Sequence, residues 1–199
     1  MWLERLPGTD LQTLNDEGRL EEGALYAAGL EFRRVHGLFS PYFRGPWSHG
    51  DPNFGNVVFD QSTQRARLVD FETVHTATSS PDDRHAEDIT VFLLDLLGSV
   101  GEENLLAMAA AFLAGYNRPA IWALAKSRLV IPTGFGRLWW GIRTEYAPIG
   151  TCVDASPCCA KAWTLDWPPS TSADLRPSYR RLNLLNAKIP TKNHKLAAD

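Results

Sequence analysis

No lysine precedes Lys126, and no G-x-x-x-x-G-K-[ST] segment occurs anywhere in the chain. A glycine-rich phosphate cradle with its lysine is therefore excluded. Cysteine is nearly as scarce: Cys152, Cys158 and Cys159 are the only three, with no C-x-x-C spacing. That argues against a disulfide scaffold and a structural zinc site, and for ordinary thiols in a reducing compartment. Neither charge dominates. A formal net charge of −3 and a pI near 6.0 leave no broad cationic surface to attract nucleic acid or anionic lipid. No apolar run approaches the roughly 20 residues that span a bilayer, and no basic segment leads into an apolar one at the N-terminus. The expectation is a cytoplasmic protein with no nucleic-acid or membrane partner.

Two enzyme classes fall by the same kind of absence. There is no G-x-S-x-G elbow for a serine hydrolase. A metal-dependent phosphohydrolase needs several histidine and aspartate ligands at set positions, and neither H-x-H nor G-N-H is present. His36, His75, His85 and His194 have no metal-ligand spacing and read as exposed or helix-end residues.

What is present suits one soluble domain. The chain has 199 residues, 44% hydrophobic and 22% charged. Thr9 or Asp10 can cap a short helix carrying Leu11 and Leu14, and Leu25, Ala28, Phe32 and Val35 recur at helical spacing. The turn-rich stretch PYFRGPW leads to two short apolar runs, 56–59 and 66–69, which predict a β-hairpin around a polar turn. From Ala86 a helix is expected with Ile89, Phe92, Leu93, Leu96 and Leu97 on one face, ended by Gly98. Further helices are expected around Leu105 to Tyr116, Ile121 to Val130 and Leu138 to Ile142, with Trp139 and Trp140 in the core. Beyond about residue 146 the periodicity fades. The prediction is an α+β fold, mostly helical, over residues 1–145, followed by an irregular or weakly helical region, 146–199.

The chemistry concentrates at the two ends of the hairpin. HGDPNFGN, residues 49–56, precedes it and LVDFE, residues 68–72, closes it. Phosphoryl transfer needs a divalent cation held by hard oxygen donors, which Asn56 and Asp70 can supply. It also needs a carboxylate beside the acceptor hydroxyl to orient it and take its proton, and Asp51 fits that task.

Protein kinases combine a catalytic-loop aspartate, an asparagine five residues later and a metal-binding D-F-G aspartate. Here Gly50 stands for the arginine and Glu72 for the last glycine, so the segment resembles the aminoglycoside phosphotransferase and choline kinase family of protein-kinase-like folds. The resemblance implies that Asp51 is the catalytic base, Asn56 and Asp70 are Mg2+ ligands, and ATP or GTP donates its γ-phosphate to a small-molecule hydroxyl. It implies that His49 supports the catalytic loop and that Asp88, in HAEDITVFLL, opens the following helix and holds that loop. Glu72 is a further candidate for the metal site, with simple continuation of the strand as the alternative.

The upstream segments MWLERLPGTDLQTL and LYAAGLEFRRVHGL are similar to the family's interlobe hinge and the helix before its catalytic loop. On that alignment the chain is the C-terminal lobe alone, with the N-terminal lobe absent. Two expectations follow: a kinase impaired by loss of the phosphate-positioning lobe, or a non-catalytic truncated fold that serves as a binding module or remnant.

Overall fold

The computed structural model describes residues 6–71, 75 and 79–128, and these form an α+β fold. Predictions for Glu72, the Trp139–Trp140 pair, His194 and the boundary near residue 146 lie outside the described residues.

Asp10 caps the first helix as its spacing predicts. Its carboxylate accepts from the Thr13 backbone N–H and from the Thr13 hydroxyl, both at 2.8 Å. Strand β1 (Thr9–Asp10) thus runs directly into α1 (Leu11–Asp16), whose Leu11 and Leu14 are buried. Helix α2 (Glu22–Val35) buries Leu25, Ala28, Phe32 and Val35, the expected stripe. Next comes a miniature hairpin, β2 (Phe39–Ser40) and β3 (Gly45–Pro46), in a stretch whose turn residues had hidden strands only two residues long.

The predicted hairpin is present as β4 (Val57–Asp60) and β5 (Arg65–Leu68), after a 3-10 turn over Phe54–Asn56. Val57 pairs with Leu68 and Asp60 with Arg65 in antiparallel register, and β1 adds to the outer edge of β4. Asp60 accepts hydrogen bonds from the Ser62 amide and the Ser62 and Thr63 hydroxyls, which closes the connecting turn.

Helix α3 (Pro81–Ser99) begins five residues before the expected Ala86 and runs through Gly98. Its opening is polar, so hydrophobic periodicity cannot see it. The true start signal is Ser80, which caps Asp83, followed by Pro81 at the first helical position. Helices α4 (Glu102–Tyr116) and α5 (Pro119–Arg128) follow, separated by Asn117 in the left-handed conformation.

The core centres on four fully buried phenylalanines from three helices and the 3-10 turn. Phe32 meets Phe92 and Phe112 edge-on, with centroids 5.0 and 5.2 Å apart; Phe92 stacks on Phe112 at 4.2 Å and meets Phe54 at 5.3 Å. Such pairs contribute roughly 0.5–1.5 kcal/mol each beyond their area. Phe54 fixes the end of the HGDPNFGN loop to this core. The loop therefore shares the rigidity of the helices.

Candidate functional site

Asp88 is fully buried two turns inside α3, not at its opening. The helix dipole is felt within the first turn only, so it does not explain an ionised carboxylate here. Hydrogen bonds do. Oδ1 accepts from the Gly50 amide and His75 Nε2, each at 2.8 Å; Oδ2 accepts from the His49 amide at 2.8 Å and His36 Nε2 at 2.9 Å. Burial pushes the Asp88 pKa up, but the His36 and His75 contacts outweigh it and hold the carboxyl well below the usual range.

The imidazoles around Asp88 are not exposed, although His36 does sit at a helix end, as the C-cap of α2. His36, His75 and His85 are all buried. His36 receives the Tyr116 hydroxyl at Nδ1, 2.9 Å away, and stacks on His85 with ring centroids 4.0 Å apart. His85 donates Nε2–H to the Trp47 carbonyl at 2.9 Å, and Arg118 meets its Nδ1 at 3.2 Å. Burial lowers the His36 and His85 pKa values, that of His85 to about 3, with the stacked His36 adding to the effect on His85. His75 behaves oppositely. Burial opposes its charge, yet the Asp88 and Glu87 carboxylates lift its pKa to about 9.

The loop carrying Asp51 is tied at several points. His49 Nε2 donates to the Val69 carbonyl at 2.8 Å, and His49 Nδ1 accepts from the Asp51 amide at 3.3 Å. One imidazole thus bridges the two motifs. Asn53 caps the 3-10 turn by accepting from the Asn56 amide and donates its side-chain nitrogen to Asp51 Oδ2 at 3.3 Å. At the far end, the Phe54 amide donates to Asp95 Oδ2 at 2.6 Å. Burial raises the pKa of Asp95.

Asn56 and Asp70 arrive at the same end of the β4–β5 hairpin because of its register. Val57 pairs with Leu68, and the Val69 amide donates to the Asn56 carbonyl at 3.0 Å, so Asp70 follows one residue beyond that bond. The Asn56 side-chain nitrogen donates to the Asp51 carbonyl at 2.8 Å, which leaves its amide oxygen as the atom able to meet a cation. Asp70 is exposed and left-handed, with φ of 59°. Arg67 does not pair with it: Arg67 lies 3.7 Å from buried Glu31, which also binds Arg34 through two 2.7 Å contacts.

Among the described residues no group of three or more His, Cys, Asp or Glu side chains is arranged to hold a metal ion. Among the described residues, the Asn56 amide oxygen and the Asp70 carboxylate are the oxygens that could meet a cation at the hairpin end. That donor set suits Mg2+, which keeps several waters or phosphate oxygens and takes few protein ligands. The aromatic neighbours complete the surroundings: Phe71, about half exposed, lies with its ring centroid 5.4 Å from those of Trp47 and His49.

The chain matches no family model, no curated protein and no solved structure. The reading of this site rests on its own chemistry. The sequence singles out Asp51, Asn56, Asp70, His49 and Asp88, which the structure places around this loop and hairpin end; it does not single out His36, His75, Asp95 and Arg84, which pack around the same loop. Arg84 is buried and binds Ser48 Oγ at 3.2 Å and the Pro46 carbonyl at 2.9 Å, donates to the Ser79 carbonyl, and lies over the Phe43 ring at 4.1 Å. Its only sequence signal was a polar helix start. No helix among the described residues is long and apolar enough to cross a membrane.

Proposed function

We infer that this chain carries the catalytic loop and metal-ligand segment of a protein-kinase-like small-molecule kinase of the aminoglycoside phosphotransferase type. The observation that carries the reading is the pair of bonds from Asn56 to the Asp51 carbonyl and from Val69 to the Asn56 carbonyl, which gathers Asp51, Asn56 and Asp70 at one hairpin end. The reaction is transfer of the γ-phosphate of ATP or GTP to the hydroxyl of a small molecule.

In that reaction Asp51 orients the acceptor hydroxyl and takes its proton as the oxygen attacks phosphorus. Asn56 and Asp70 would hold Mg2+, which neutralises charge on the transferring phosphoryl group. Asp88 and Asp95 keep the loop in one conformation, so Asp51 meets its acceptor without reorganising.

The second reading is a kinase-like fold that binds a ligand without turnover. A titration separates both readings from a site with no ligand. Mn2+, a paramagnetic stand-in for Mg2+, should broaden the amide resonances of Asn56 and Asp70 in the 199-residue protein, and Asp70→Asn should abolish the effect. Equal broadening in wild type and variant would overturn the metal assignment. Phosphorylation of a hydroxyl acceptor, followed by 31P NMR, then distinguishes a kinase from a binding module.

A further inference from the structure

His75 stands apart from both sequence motifs, yet its side chain reaches the hub that organises one of them. Its Nε2–H and the Gly50 amide donate to the same oxygen, Asp88 Oδ1, each at 2.8 Å. Its other nitrogen lies 3.4 Å from the carboxylate of Glu87, the neighbouring residue on α3. His75 is buried, and it follows Asp70 by five residues in the same segment. Besides the Val69 amide bond to the Asn56 carbonyl, the metal-ligand segment is therefore fixed to the loop through His49 to the Val69 carbonyl and through His75 to Asp88.

We propose that His75 is a positioning residue that locks the segment bearing Asp70 to the loop bearing Asp51, acting through the Asp88 carboxylate both share. The proposal rests on the kinase reading for what Asp51 and Asp70 do, and on hydrogen-bond geometry alone for how they are held. Two chain segments that donate to one carboxylate oxygen cannot shift independently without leaving a buried acceptor short of a partner. Asp88 is thus a common fixed point for the two motifs, and His75 is the donor that brings the second motif to it.

The test is solution NMR on the full 199-residue chain. In the wild type, the His75 Nε2 proton should give a nuclear Overhauser contact to the Gly50 amide proton, because both hydrogens converge on one oxygen. His75→Leu removes both donors; exchange of the Gly50 amide should accelerate by about tenfold or more, the loss expected for a charge-assisted hydrogen bond. His75→Gln keeps an amide N–H donor able to reach Asp88 and should restore most of the protection and of the Mn2+ broadening at Asp70. Restoration by a donor of different shape is not expected from a residue that merely fills space.

A wild-type spectrum without the Overhauser contact overturns the proposal even if His75→Leu fails to fold. Unchanged Gly50 protection in a folded His75→Leu variant overturns it as well. Failure of Mn2+ to broaden Asn56 and Asp70 in the wild type defeats the metal assignment instead, while the Gly50 exchange rates still decide what His75 does.

Discussion

Asp88 and Asp95 stand seven residues apart on α3 and hold opposite ends of the loop that carries Asp51, the first at the His49 and Gly50 amides and the second at the Phe54 amide. Burial pushes the pKa of both upward, yet their net shifts are opposite. Asp88 is kept ionised by two imidazoles, whereas Asp95 has its pKa raised, chiefly by burial.

The two carboxylates should respond differently to the same isosteric change. Asp88→Asn puts an amide nitrogen among four donors and strands the His75 charge, and should cost about 3–5 kcal/mol, the loss typical of a broken buried pair. Asp95→Asn keeps an acceptor for the Phe54 amide and removes a charge that burial disfavours, so its cost should stay below about 1 kcal/mol. Urea denaturation of both variants checks the contrast. Equal losses would refute it.

Stability should peak near pH 6.5 and fall on both sides. His75 has a raised folded pKa of about 9, so its contribution is complete below the unfolded value near 6.5 and is lost as pH climbs toward 9. His36 and His85 have depressed folded values, that of His85 about 3, so the unfolded chain binds more protons below 6.5 and stability drops as pH falls. Asp88 adds to the acid arm below about pH 4. Each group contributes a slope of at most about 1.4 kcal/mol per pH unit. A thermal melt series across pH 4 to 10 measures the profile, and His75→Gln should flatten the alkaline arm only.

Helices α2 and α4 touch backbone to backbone. A Cβ on Gly29 would lie 2.1 Å from the Phe112 carbonyl oxygen, and one on Gly115 would lie 2.2 Å from that of Tyr26. Alanine would gain about 1 kcal/mol of helix propensity at either position. Overpacking against backbone that cannot rotate away should exceed that gain, for a net loss of about 2 kcal/mol or more. Calorimetry on Gly29→Ala decides the sign, and a stabilised variant would disprove the close approach.

Asp51→Asn should leave folding and Mn2+ binding close to wild type, because Asn56 and the amides hold the loop through its backbone. Any phosphoryl transfer to a hydroxyl should fall by about 10²- to 10⁴-fold, the range for loss of a general base. Turnover unchanged by the substitution would remove Asp51 from the reaction.

Local patterns were legible in the sequence where they decide structure locally. The α2 stripe, the Asp10 cap and the β4–β5 hairpin each depend on neighbours within a few positions. The positions of Asp51, Asn56 and Asp70 at one hairpin end were legible because they flank two short strands whose register is local. The histidine cluster was not. His36 and Asp88 are 52 residues apart and His36 and Tyr116 are 80 apart, so no local rule distinguishes this buried imidazole from a solvated one at a helix end. The start of α3 was misplaced because periodicity responds to apolar side chains, and its first turn is proline, aspartate and arginine.

Asp70 occupies a left-handed backbone conformation that glycine adopts freely. Asp tolerates this region better than most residues, yet Asp70→Gly should still relieve local strain by up to about 1 kcal/mol. A screen for thermal stability alone would thus favour a glycine at the position assigned to metal binding. If Asp70 binds metal as proposed, stability-driven engineering of this chain would remove that ligand first, and a variant library sorted once for folding and once for Mn2+ binding should disagree most sharply at residue 70.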